Sequence, residues 1–78
     1  MRRRVYVEVT ARFDTEGNIR PLSLKFDDIL YEIDRVLDVR RAASLKVGGM
    51  GMRYTIRVGQ NETYLYFEDP RWFVEAKQ

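Results

Sequence analysis

The sequence contains no cysteine and no histidine. The first absence excludes disulfides, thiol nucleophiles and thiolate metal ligands. The second removes the imidazole that moves protons near neutral pH and the usual zinc site. Catalysis would fall to carboxylates, tyrosines, lysines and two serines, Ser23 and Ser44. A carboxylate pair acting as acid and base needs a deep cleft, and a chain of 78 residues has little room for one. No enzyme activity, metal or cofactor is therefore expected. No apolar run approaches the roughly 20 residues of a membrane-spanning helix, so no membrane association is expected either. The basic start, MRRRVYVEVT, turns at once into alternating apolar and polar residues, which is strand patterning rather than a leader. With no targeting segment, a cytoplasmic setting is the default.

What is present reads as one globular domain, residues 1–78, with 45% hydrophobic and 33% charged residues. Such a chain buries roughly 60% of its unfolded surface, enough for one modest core. Fourteen basic residues against 12 acidic ones leave a net charge of +2, too mild to imply a nucleic-acid partner by itself. All the basic residues except Lys25, Lys46 and Lys77 are arginines. That skew suits ion-pair surfaces or phosphate contacts, because guanidinium groups bind in planar, bidentate geometry; genome composition or thermal adaptation produces the same skew.

Period-2 alternation marks most of the chain. Val5–Phe13 alternates throughout, with Val5, Val7, Val9, Ala11 and Phe13 on one face. Asp14 to Asn18 is turn chemistry around Gly17. A second strand follows, with Leu22, Leu24 and Phe26 facing in and with Pro21, which lacks a donor, suggesting an edge. Met52–Val58 alternates again, Gly59 to Glu62 reads as a four-residue hairpin loop, and Thr63–Glu68 is apolar on both faces, as a central strand would be. Asp69-Pro70-Arg71 is a turn, and Trp72–Glu75 is a last short strand. The predicted core is Val7, Val9, Phe13, Leu24, Ile33, Leu37, Ile56, Leu65 and Phe67.

The central stretch, FDDILYEIDRVLDVRR, decides the fold class. At period 3.6, Phe26, Ile29, Leu30, Ile33, Val36 and Leu37 share a helical face. At period 2, Tyr31 and Ile33 alternate with Glu32 and Asp34, then Leu37 and Val39 alternate with Asp38 and Arg40. The phase slips at Asp34-Arg35, which a β-bulge can absorb. Periodicity slightly favours the helix, whereas short strands at intervals of about 8–12 residues on both sides point to a sandwich or barrel.

The chain resembles a family of small uncharacterised bacterial proteins of about this length. The resemblance runs from Pro21 to Glu75. It rests on Pro21-Leu22-Ser23, Tyr31 to Asp38, Ala42 to Lys46, Gly48-Gly49, Gly51, Arg53-Tyr54-Thr55 and Trp72 to Glu75. Family members carry Trp-Asp-Gly, a tight hairpin turn, where this chain has Phe26-Asp27-Asp28. Aspartate tolerates the left-handed conformation better than most residues, so the turn can survive, with Ile29 and Leu30 exposed at its tip. The resemblance implies a small β-barrel and no known activity. The expectation is therefore all-β: a small antiparallel barrel or roll, Src-homology-3-like, with Tyr31–Val39 as a strand. The alternative is α+β, with one helix at about 28–41 packed on an antiparallel sheet.

Candidate binding residues come from the late aromatics and the arginines near them: Arg53, Tyr54, Arg57, Tyr64, Tyr66 and Trp72. Small barrels stack nucleobases on exposed aromatics beside arginine, or hold proline-rich peptides in an aromatic groove. The competing reading is that these large side chains are needed for burial. Arg2-Arg3-Arg4 suits a phosphate backbone or a solvated end. Arg40 and Arg41 with Arg53 and Arg57 form a second basic patch, or pair with Asp34, Asp38 and Glu68. The run Lys46 to Gly51 is compatible with a phosphate nest, but it lacks the GxxxxGK[ST] spacing and reads first as a corner. The first functional expectation is a non-catalytic module for a protein partner, or an accessory subunit, as a monomer or weak homodimer. The second is a nucleic-acid-binding barrel. It ranks lower because Arg53 and Arg57 lie on the strand face opposite Tyr54, and Tyr64 and Tyr66 can meet those arginines only if the strand register allows it.

Overall fold

Alternating sequence becomes seven antiparallel strands in the computed structural model, which describes residues 2–42 and 51–77. They are β1 (Arg2–Phe13), β2 (Ile19–Phe26), β3 (Ile29–Glu32), β4 (Arg35–Ala42), β5 (Gly51–Val58), β6 (Asn61–Glu68) and β7 (Arg71–Lys77). The order across the sheet is β3-β2-β1-β7-β6-β5-β4, curled into a half-barrel. The class is all-β, so the helical reading of the central stretch is set aside. The Lys46 to Met50 part of the glycine-rich segment lies outside the described residues.

The central stretch is two strands rather than one. β3 pairs with β2, and β4 pairs with β5. The handover falls on two successive backbone amides. Ile33 N–H donates to the carbonyl of Leu22 at 2.9 Å, and Asp34 N–H donates to that of Arg57 at 2.8 Å. Neighbouring amides of an extended chain point to opposite edges, so this pair ties the two margins of the sheet together through the chain itself. The Asp34 carboxylate completes the joint by accepting from Gly59 N–H at 2.7 Å.

Two bulges explain two errors of phase. Register shifts between Val36 and Asp38, which leaves Leu37 as the extra residue of β4. It shifts again where Thr10 opposite Ser23 is followed by Ala11 opposite Pro21, which leaves Leu22 as the extra residue of β2. A bulged residue leaves the pleat, and both leucines, expected to face in, are exposed. The slip anticipated at Asp34-Arg35 is thus divided between the Ile33-Asp34 joint and the Leu37 bulge. Phe13, also expected in the core, is exposed because it ends β1 opposite Ile19 at the rim of the sheet. Pro21 sits where β2 has lost its β3 neighbour, a local edge that tolerates a missing donor.

The hairpins follow turn chemistry closely. Asp27 and Asp28 both take positive φ, 56° and 64°, in a two-residue loop that pairs Phe26 with Ile29. That is the primed turn which matches strand twist, made here without glycine. Gly59 (φ 62°) and Gln60 alone connect Val58 to Asn61, a shorter loop than the four residues expected. The Asp69-Pro70 bond is cis in the loop joining Glu68 to Arg71.

The core fills the concave face. Ile56 and Leu65 are fully buried at 0% exposure, and Leu24, Tyr54 and Trp72 complete the cluster. Val7, Val9, Ile33 and Phe67 pack on it half-buried. Tyr54 spans the interior and its hydroxyl donates to the carbonyl of Ile19 at 3.4 Å. Toward the open side, an apolar cleft of about 320 Å³ separates Phe26 and Tyr31 from Val58, Thr63 and Val74.

Candidate functional site: an aromatic–arginine face

The convex face carries a second layer of side chains outside the concave cluster, in which Phe73, at 5% exposure, is itself buried beneath its neighbours. Its organisation is set by register. Tyr6 lies opposite Phe73, Phe73 opposite Tyr66, Tyr66 opposite Arg53, and Arg53 opposite Arg40. These five residues form one row across β1, β7, β6, β5 and β4. Side chains at directly opposed positions on one face lie within contact distance, and the row is accordingly continuous. The rings of Phe73 and Tyr66 stack at 4.9 Å with 5° between planes, and Tyr6 meets Phe73 edge-on at 5.7 Å.

Guanidinium groups cap the aromatics. Arg71 lies 4.0 Å over the ring of Tyr6, Arg4 4.5 Å over Phe73, and Arg53 4.5 Å over Tyr64. Cation–π contacts contribute about 0.5–1 kcal/mol each at exposed sites such as Tyr6 and Tyr64. Carboxylates interleave with them. Arg4 donates to the hydroxyl of Tyr6 at 3.3 Å, and that hydroxyl donates to Glu68 Oε1 at 3.3 Å. The hydroxyl of Tyr66 donates to Glu75 Oε1 at 3.2 Å. Partial burial, then the negative charge of Glu75, push the Tyr66 phenol above its ordinary pKa. Nearer the margin, Arg40 pairs with Asp38 at 2.7 Å and Arg57 with Glu62 at 3.2 Å.

The six residues anticipated as a site divide in two. Arg53, Arg57, Tyr64 and Tyr66 share the convex face, and Tyr64 is 42% exposed. Tyr54 and Trp72 do not belong there. Both are buried in the concave core, where their rings meet at 5.3 Å, because they are in phase with Ile56 and Val74 rather than with Arg53 and Phe73. Register also removes the geometric objection to arginine and tyrosine acting together: β6, not β5, supplies the tyrosines beside Arg53.

Sequence reasoning misses Tyr6, Phe73 and Arg71. Tyr6 reads as the wet side of β1, and Phe73 reads as one more apolar residue of the last strand. Their meeting depends on the pairing of β1 with β7, which joins the two ends of the chain. The only local signal is phase, since Arg4 shares its strand face with Tyr6 and Arg71 shares its face with Phe73.

Fold and face together define a class: a small half-barrel with a packed concave core and a convex face of contacting aromatics, arginines and carboxylates. No protein-family model matches the chain, and no curated protein or solved structure matches it either.

Proposed function

We propose that this chain is a non-catalytic binding module that engages a protein partner through its convex face. The observation that carries the reading is the row of Tyr6, Phe73, Tyr66, Arg53 and Arg40, with Glu68, Glu75, Asp38 and Glu62 interleaved. Tyrosine and arginine are the residues that protein interfaces concentrate at their energetic centres. Mixed charge gives a partner both signs to match and penalises wrong partners. Non-catalytic use fits the carboxylates that flank the row, since Asp38, Glu62, Glu68 and Glu75 each already bind a named donor.

Nucleic acid is the second reading, and one observation favours it: Arg53 sits on Tyr64 and opposite Tyr66, the arrangement that holds stacked bases beside phosphates. Against it stand the carboxylates on the same face, which repel a polyanion.

Two measurements test the proposal. A photoreactive amino acid at position 64 should crosslink to protein in source-cell extract well above the same group at Gln60, and Arg53→Glu should suppress the crosslinks. Fluorescence anisotropy with single-stranded DNA and RNA at low salt should show no binding in the micromolar range. Crosslinking at position 64 no stronger than at Gln60 refutes the proposal. Micromolar oligonucleotide binding that weakens with salt and with Tyr64→Ala replaces it with the second reading.

A further inference from the structure

We infer that the free margin of β4 takes up an acidic, extended segment of the partner as an added strand. The inference rests on the protein-binding reading and names the partner's chemistry. Among the described residues β4 pairs only with β5, so its other edge presents unpaired backbone donors and acceptors along Arg35–Ala42, interrupted at the Leu37 bulge and regular from Asp38 onward. An edge of that length is a template for strand addition.

Charge says what kind of strand. Arg35 lies directly opposite Arg57, and Arg40 directly opposite Arg53. Like charges at opposed positions weaken a sheet, and here the arrangement occurs twice on one strand pair. Arg57 and Arg40 each have a carboxylate, Glu62 and Asp38. Among the described residues, Arg35 and Arg53 make no ion pair. An incoming strand with acidic side chains on the convex face would place carboxylates beside Arg35 and Arg40, which outnumber the one carboxylate, Asp38, that lies between them and already pairs with Arg40. Its alternate residues would cover Val39, an exposed apolar residue of the same strand.

The same charges disfavour a second copy, because β4 against β4 brings Arg35 and Arg40 of both chains together on the convex face around two Asp38 residues, with Arg41 of each chain on the other face. They also separate this edge from that of β3, where Asp27, Asp28 and Glu32 flank exposed Ile29 and Leu30. An acidic strand is repelled there and attracted at β4.

The probe is an end-blocked octapeptide alternating Glu with Val, titrated into the isotope-labelled protein and followed by amide shift mapping and hydrogen exchange. The expected result is shifts and slowed exchange centred on residues 35–42, with affinity falling as salt rises. The peptide with Lys in place of Glu should not bind, and Arg35→Glu with Arg40→Gln should weaken binding at least about tenfold while leaving the spectrum of β1, β6 and β7 unchanged. Shifts centred elsewhere, equal binding of the Lys peptide, or no binding at millimolar concentration overturns the inference. So does concentration-dependent broadening of β4 without peptide, which would make a second copy the occupant. Crosslinking from position 64 uses no peptide, so loss of the crosslinks with peptide binding intact refutes the convex-face reading alone, and the converse refutes this inference alone.

Discussion

Leu65→Ala tests the architecture at its centre, with Leu37→Ala as its partner experiment. Leu65 is on β6, flanked by β5 and β7, opposite Tyr54, and has no exposed surface. Removing about three methylene equivalents at roughly 0.8 kcal/mol each forfeits about 2.4 kcal/mol of transfer free energy. A residual void of about 60 Å³ adds about 1.4 kcal/mol at roughly 24 cal/mol per Å³. The sum, about 4 kcal/mol, is comparable to the lower end of the roughly 4–12 kcal/mol available to a chain of 78 residues. At roughly 4–8 °C per kcal/mol, the melting temperature should fall by about 15–30 °C, or the domain should fail to fold. Leu37 is the same residue type on an alternating strand, but it is displaced by the bulge and 39% exposed. Its truncation should cost less than about 1 kcal/mol. Thermal and urea denaturation of both variants decides the matter. Equal losses would mean that Leu37 is in the pleat and that the bulge is misplaced, and an unchanged Leu65→Ala would mean that the concave face is not the core.

Asp28→Gly should raise stability by roughly 0.5–1 kcal/mol in urea denaturation, because Asp28 holds a φ of 64° that glycine adopts without a Cβ penalty. Arg35→Glu should stabilise the free protein by roughly 0.2–1 kcal/mol by replacing a like-charge pair with an opposite one across β4 and β5, and the gain should shrink in about 1 M salt. Asp14 accepts from the side chain of Asn18 at 3.0 Å and from the amides of Asn18 and Glu16, which hold its carboxyl below the usual range. A depressed folded pKa gives stability that is present above the unfolded value and lost as pH falls through the folded one. Asp14→Asn should therefore lower the melting temperature at neutral pH and flatten its dependence on pH between about 5 and 2.

Strand identity is legible because period 2 is a local property, and turn chemistry locates most of the boundaries. Bulges are not legible. Leu22 and Leu37 alternate as core residues do, and only the partner strand reveals that each is the extra residue of its pair. The face of Tyr54 and Trp72 is legible in principle, since Tyr54 is in phase with Ile56; expecting them exposed weights residue type over phase. The convex row is the least accessible feature, because it is assembled from five strands and depends on the pairing of β1 with β7. Sequence order supplies the members of such a row but not their adjacency.

The two faces of this sheet obey different optima. On the concave side every apolar contact adds stability, and Ile56, Leu65, Leu24, Tyr54 and Trp72 are packed accordingly. On the convex side the pairing of Arg35 with Arg57 works against stability, although single substitutions would relieve it. Natural chains retain such conflicts where a site needs them. That gives Arg35→Glu a double reading. In the free protein it removes repulsion and should raise the melting temperature; toward an acidic strand it removes attraction and should weaken binding. A substitution that moves stability and binding in opposite directions separates a residue kept for a partner from one kept for the fold. If Arg35→Glu lowered both, Arg35 would be a structural residue, and the charge pattern of β4 would carry no information about a partner.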